Sequence, residues 1–232
     1  MDTNLDKVKF ESKLLFDAVP LKKHSKMSFV CQHPFTNSSY GMSSKGEMID
    51  YTTEEGGKEF RNIVFNIIDN AKDVFDIVML LNKAYYMTFL NMVENDVSPE
   101  DFGKLLQDCW VLQEFPNRDN NVGHRKLIKW FKKCPKTSLM VDTELFTFDK
   151  LKQLDKLLVY RGVEEEGQPN GLSWTISKPV AQKFANRFHT NTSRLYVMEI
   201  NPENILAYFN SRNEQEVIID TTKEHNWILL EE

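Results

Sequence analysis

Three short segments in the last third of the chain carry residue types whose spacing can do chemistry. Tyr160-Arg161-Gly162 closes an apolar, β-branched run. An arginine followed by glycine at a strand end can hold a phosphate or carboxylate while the backbone comes close to the ligand. In Gly171-Leu172-Ser173-Trp174-Thr175 two hydroxyls stand two residues apart. On extended backbone they point to the same side and can hold a carboxylate in a fixed rotamer. Asn213-Glu214-Gln215-Glu216 runs straight into Val217-Ile218-Ile219. The two-residue spacing sets Glu214 and Glu216 on one strand face, with Val217 and Ile219 anchoring the other. Close like charges are costly, so such a pair on a core strand asks for a reason. Each segment alone also has an ordinary explanation: an exposed strand-end arginine, a wet strand face, a solvated edge strand.

The elements that must position these residues are legible in part. LLVYRGV, RLYVMEI, NILAYFN and EVIID read as strands, and SKPVAQKFANRF between the first two reads as a short helix. Ser177 is its expected N-cap, and Val180, Ala181, Phe184, Ala185 and Phe188 share one face. Upstream, apolar residues recur at three- and four-residue steps from Lys58 to about Val93, which predicts one long helix or two in line. Ser98-Pro99 opens a further helix that Pro116 stops, and another runs from about His124 to Cys134. Residues 1–57 show no sustained period and read as an irregular arm with a strand near Ser28 to Val30. The expected organisation is an arm over 1–57, a helical region over 58–150 packing as part of the same domain, and a strand-rich core over 151–232, with the seam near residue 150.

Composition narrows the class. The 232 residues are 41% hydrophobic and 27% charged, a globular balance long enough to bury a core. A formal charge of -5 excludes a general attraction to polyanions, so nucleic-acid contact needs a local basic patch. One exists: Arg125, Lys126, Lys129, Lys132, Lys133 and Lys136 occur with no acidic residue among them. Cys31, Cys109 and Cys134 are too few and too scattered for a disulfide framework or a zinc site, and read as reduced and buried. Cys31 and His33 lack a second ligand pair, so no metal is expected. No run is long enough for a membrane span and the N-terminus is broken by charges, so a cytoplasmic protein without membrane contact is expected.

Arginine at one strand end, a Ser-x-Ser/Thr strand after it and Glu-x-Glu leading a third strand, in that order, resemble the arginine, serine, glutamate class of ADP-ribosyltransferases, in particular prokaryotic and phage-encoded toxin-type members. The resemblance covers about Leu158 to Asp220 and includes GLSWTISKPVAQKFANRF and NEQEVIID. Ser-Trp-Thr stands where the commoner pattern is Ser-Thr-Ser. It implies an α+β fold, with the helical N-terminal half packed on a split, mostly antiparallel sheet, and NAD+ as a substrate. Glu216 is then the catalytic glutamate on the ribose hydroxyl, and Ser173 holds it. Arg161, Gly162, Ser173 and Thr175 contact NAD+, and Phe184, Arg187 and Phe188 fall where the nicotinamide and phosphate loop lies. Glu214 orients the acceptor, and a glutamate there is associated with protein arginine. The basic helix keeps a nucleic-acid acceptor open, with Arg125, Lys126, Lys129, Lys132 and Lys133 as its docking residues. An NAD+ glycohydrolase and a non-catalytic binding or inhibitor protein are further readings, and a toxin implies an antitoxin or inhibitor partner.

Overall fold

Buried apolar faces build two units that differ in kind. The computed structural model describes residues 2–43, 45–114, 121–163, 170–187, 193–224 and 226–230. It divides into Met1–Asn121 and Val122–Glu232, so the boundary falls well before the seam expected near residue 150.

The first unit is mainly helical. It opens with α1 (Leu5–Ala18), capped by the Asn4 side chain accepting from the Lys7 N–H, with Val8, Ser12, Leu15 and Phe16 buried. Two hairpins follow: β1 (Val30–His33) with β2 (Thr36–Ser38), and β3 (Tyr40–Met42) with β4 (Met48–Asp50). The described residues of 1–57 therefore form a helix and two hairpins and not an irregular arm. The apolar period of this helix is broken at the core position Ser12, whose hydroxyl is satisfied by the Val8 carbonyl at 2.6 Å.

The stretch from Lys58 to Val93 is likewise not one long helix or two in line. It forms α2 (Glu54–Asn70), α3 (Val74–Val78) and α4 (Tyr86–Val93), with a 3-10 turn at Lys83–Tyr85. Ala71 leaves the helical region, Asp73 recaps the chain by accepting from the Phe75 and Asp76 N–H groups, and Asn82 is extended. Local capping thus interrupts a continuous apolar period. In α5 (Pro99–Leu112) the Ser98 hydroxyl accepts from the Asp101 N–H and proline occupies the first turn, as its sequence signals predict. Pro116, its expected stop, lies outside the described residues.

His33 in this unit is fully buried. Its Nδ1 accepts from the Phe35 N–H and its Nε2 faces the Phe16 carbonyl at 3.0 Å, which fixes the neutral tautomer protonated on Nε2. Burial pushes the imidazole below its ordinary pKa. Both ring nitrogens are engaged, and Cys31 beside it is buried and unbridged.

The second unit packs helices on one antiparallel sheet. Its elements are α6 (His124–Lys133), α7 (Lys136–Leu139), α8 (Asp142–Lys152), β5 (Leu157–Val163), β6 (Ser173–Thr175), α9 (Lys178–Ala185), β7 (Arg194–Ile200), β8 (Ile205–Phe209), β9 (Glu216–Ile219) and β10 (Trp227–Leu230). The strands run in the order β10-β7-β5-β6-β9-β8, each pair antiparallel. With the helical first unit this makes an α+β protein. Strands β8 and β9 are buried at every position, which is why they read as continuous apolar runs instead of alternating ones.

Buried polar groups tie the helices to the sheet. The Lys136 ammonium donates to the Phe131 and Leu206 carbonyls at 2.7 and 2.6 Å, and desolvation pushes its pKa down to about 8. Glu144, on the unexpected helix α8, accepts from the Val141 N–H and from the Asn210 N–H at 3.3 and 2.7 Å. Asp220, just past β9, takes an ion pair from Lys132 at 2.5 Å and two hydrogen bonds from Thr222. Burial raises the Asp220 pKa, but Lys132 and Thr222 outweigh it and hold the carboxyl below its ordinary value.

Helix α9 presses on β5 so closely that only glycine fits between them. A Cβ added at Gly162 would stand 1.9 Å from the Ala181 carbonyl oxygen and 2.5 Å from the Ala185 nitrogen, both backbone atoms of α9. Neither can rotate away. We expect Gly162→Ala to lower the unfolding free energy by about 2 kcal/mol or more, the scale of an overpacked core. Urea denaturation checks this, and an unchanged midpoint would contradict the packing described.

Candidate active site

The three segments singled out by residue type lie on three adjacent strands, β5, β6 and β9. Between β5 and β6 the register contains one pair, Tyr160 with Thr175, whereas residues Leu157 to Val163 of β5 pair throughout with β7. The sheet therefore parts just beyond Tyr160. Arg161 spans the parting, because its Nη1 donates to the Ser173 carbonyl, which faces the side that β5 has left. One of the five guanidinium N–H donors is committed there.

Gly171 makes room for this arginine. A Cβ at Gly171 would lie 2.3 Å from Arg161 Nη2 and 2.5 Å from its guanidinium carbon. The role of Gly171 is not legible in the sequence, since nothing in a glycine before Leu172 announces a side chain ten positions earlier. Trp174, the residue that departs from the commoner pattern, is buried and donates its indole N–H to the Gly171 carbonyl at 3.0 Å. It thereby fixes the approach to β6 from the core side.

Strand β6 pairs with β9 through Ser173 with Ile218, Trp174 with Val217 and Thr175 with Glu216. Directly opposed residues share a face, so Ser173, Thr175 and Glu216 stand together. Thr175 is the direct neighbour of Glu216, and Ser173 is the diagonal one. Glu216 is only 6% exposed, a carboxylate withdrawn from water on a strand whose other residues are all apolar.

Glu214 departs from the expected strand alternation. Strand β9 begins at Glu216, and Gln215 before it adopts a positive φ of 47°, as does Asn213 at 57°. The two carboxylates are therefore not successive residues of one strand face. Left-handed backbone at two non-glycine residues is uncommon and must be held in place. Four hydrogen bonds do this: the Asn213 N–H to the Asn210 carbonyl at 2.9 Å, the Gln215 N–H to Asn210 Oδ1 at 3.0 Å, the Thr175 hydroxyl to the Glu214 carbonyl at 2.7 Å, and the Ile176 N–H to the Gln215 carbonyl at 3.2 Å. Asn210 is itself tied to Glu144. The Glu214 carboxylate, partly exposed, pairs with Arg212 at 2.7 Å.

The remaining expected site residues are dispersed. Phe184 is half-buried on α9 and Arg187 is exposed in the turn after it, while Phe188 lies outside the described residues. Ser177 makes no side-chain cap for α9; its N–H donates to the Thr175 hydroxyl instead. The basic set on α6 is divided by structural duties. Arg125, Lys129 and Lys133 are exposed, Lys126 lies over the Trp130 ring at 5.7 Å, and Lys132 is held by Asp220. Among the described residues no cluster of three or more histidine, cysteine, aspartate or glutamate side chains could hold a metal ion. No described helix is long and apolar enough to cross a membrane.

Set against models of protein families, curated proteins and solved structures, the chain matches none. The chemistry of the site therefore rests on its own residues and on the motif resemblance.

Gly171→Ala isolates the arginine, since the added methyl must displace the flexible guanidinium and not backbone. On the NAD+ reading that the motif resemblance implies, at least about tenfold weaker binding of NAD+ is expected, roughly 1.4 kcal/mol, with a thermal midpoint close to wild type. Arg161→Lys should act in the same direction because lysine cannot reproduce a planar, forked contact. Calorimetry showing full affinity in both variants would leave Arg161 with only its bridging role between β5 and β6.

Proposed function

We propose that the chain is an NAD+-dependent mono-ADP-ribosyltransferase of the arginine, serine, glutamate class. The observation that carries this reading is the buried Glu216 on β9, directly opposite Thr175 of β6 and diagonal to Ser173, with β6 standing between it and β5, the strand that bears Arg161. A carboxyl group fixed at the start of an apolar strand is well placed to stabilise positive charge that develops beside it. The antiparallel sheet that parts between β5 and β6 supports a split-sheet ADP-ribosyltransferase fold.

Breaking the bond between nicotinamide and ribose builds oxocarbenium-like charge on the sugar. A fixed carboxylate beneath it stabilises the transition state more than the ground state, as carboxylates do in glycosidases. In this reading Glu216 holds the ribose hydroxyl, Ser173 and Thr175 line the same face, and Arg161 takes the pyrophosphate. Gly162 contributes backbone only, its Cα side being filled by α9. Glu214 receives the proton of the incoming nucleophile. Its contact with a guanidinium, that of Arg212, favours protein arginine as the acceptor.

A second reading, transfer to a nucleic-acid base, draws on the exposed Arg125, Lys129 and Lys133 of α6. It is weaker because Lys132 and Lys136 already have partners within the fold.

The test is release of nicotinamide from NAD+ by the purified chain. Glu216→Gln should retain the thermal midpoint and NAD+ binding but lower the release rate by at least about a hundredfold. A rate within a fewfold of wild type would remove Glu216 from catalysis.

A further inference from the structure

The six-stranded sheet of the second unit has two edges, β8 and β10, and they are finished in opposite ways. At β8 the outward backbone is covered. The Leu206 carbonyl accepts from the Lys136 ammonium at 2.6 Å, the Tyr208 N–H donates to Met140 Sδ at 3.3 Å, and the Asn210 N–H donates to Glu144 at 2.7 Å. The two-residue spacing puts these three groups on the side away from β9, so side chains of α7, α8 and the turn between them cap that edge. Strand β10 is bonded to β7 on one side, and among the described residues no side chain caps its other side. It consists of Trp227, Ile228, Leu229 and Leu230, the first three exposed at 39%, 66% and 40%. A lysine, a proline or a bulge ordinarily keeps such an edge from pairing, and β10 carries none of them. The strand is nonetheless fixed, with the Trp227 ring edge-on to Tyr196 at 5.4 Å.

From this contrast we propose that β10 is a dimerisation edge, to which β10 of a second copy of this chain adds antiparallel and continues the sheet. The inference does not depend on the transferase reading. The strand is self-complementary. With a twofold axis normal to the sheet at Ile228, the two Ile228 side chains meet on one face. On the other face, the one that carries Tyr196, Trp227 stands opposite Leu229 of the second copy, twice by symmetry. Charge selects the direction. Before the strand Lys223 is exposed, while Glu224 turns into its own fold and accepts from the Asn201 N–H and the Asn204 amide. After the strand the sequence continues Glu231-Glu232. Antiparallel pairing carries this acidic pair toward Lys223 of the other copy, whereas parallel pairing sets acid against acid. A four-residue edge lies below the standard interface size, so the dimer forms and dissociates with concentration. An isologous contact of this kind closes at two copies.

The experiment is sedimentation equilibrium of the full chain over a range of concentrations, for wild type, Ile228→Lys and Ile228→Cys. Wild type should move from 27.2 kDa toward twice that mass as concentration rises. Ile228→Lys changes an exposed position, so the thermal midpoint should hold while association weakens at least about tenfold, two like charges now standing opposite each other. Ile228→Cys should give a disulfide-linked dimer on mild oxidation, because directly opposed residues of a ladder fall within disulfide range. Cys31, Cys109 and Cys134 are buried and supply no competing thiol at the surface. A chain that stays monomeric up to about 1 mM would overturn the proposal, and is the result expected if the edge serves a strand of a different protein. A dimer that Ile228→Lys leaves unchanged, or in which Ile228→Cys forms no cross-link, would place the contact elsewhere and overturn it too. Assembly that grows past two copies would contradict the closed pairing.

Discussion

Thr175 stands at the crossing on which the second unit's site depends. Its backbone is the one point of register between β5 and β6 and at the same time the partner of Glu216 on β9. Its hydroxyl accepts from the Ser177 N–H at the entry to α9 and donates to the Glu214 carbonyl. One short side chain therefore links the parting of the sheet, the start of a helix, the buried carboxylate and the loop before it. A serine could make both hydrogen bonds, but it would lack the methyl that packs a position only 6% exposed. The wider frame, with Lys136, Glu144 and Asp220 tying helices to β8 and β9, keeps these strands from sliding past one another.

The site's logic is one of separation and bridging. Where β5 leaves β6, a strand edge would present unpaired backbone groups, and the Arg161 guanidinium covers one of them. That places a cation at the mouth of the parting, and Gly171 is the cavity it occupies. The same arrangement serves stability and, in the proposed function, the binding of a diphosphate. With both duties resting on a planar, forked group, Arg161 has no equivalent in lysine.

The strands were legible in the sequence because β8 and β9 are buried on both faces and read as unbroken apolar runs, and the order Arg161, Ser173, Glu216 survives as adjacency of β5, β6 and β9. Other features were not, each for a local reason. Helix α8 buries Phe148 and Leu151 but leaves Phe146 exposed, so its stripe has no clean period. Helix α1 hides behind Ser12. The turn at Gln215 was invisible since glutamine does not announce a left-handed backbone, and with it went the assumption that Glu214 and Glu216 share a strand face. Lys132 and Lys136 looked like members of a basic surface, and only the fold reveals the carboxylate and carbonyls that engage them.

The central claim is that the parting between β5 and β6, with Glu216 beside it, receives NAD+. The most direct measurement is a crystal structure of the Glu216→Gln protein grown with saturating NAD+, the variant chosen so that the dinucleotide survives. The account predicts the nicotinamide ribose against residue 216 and Ser173, with the pyrophosphate at Arg161. NAD+ bound elsewhere on the chain, or absent at saturating concentration, would contradict it.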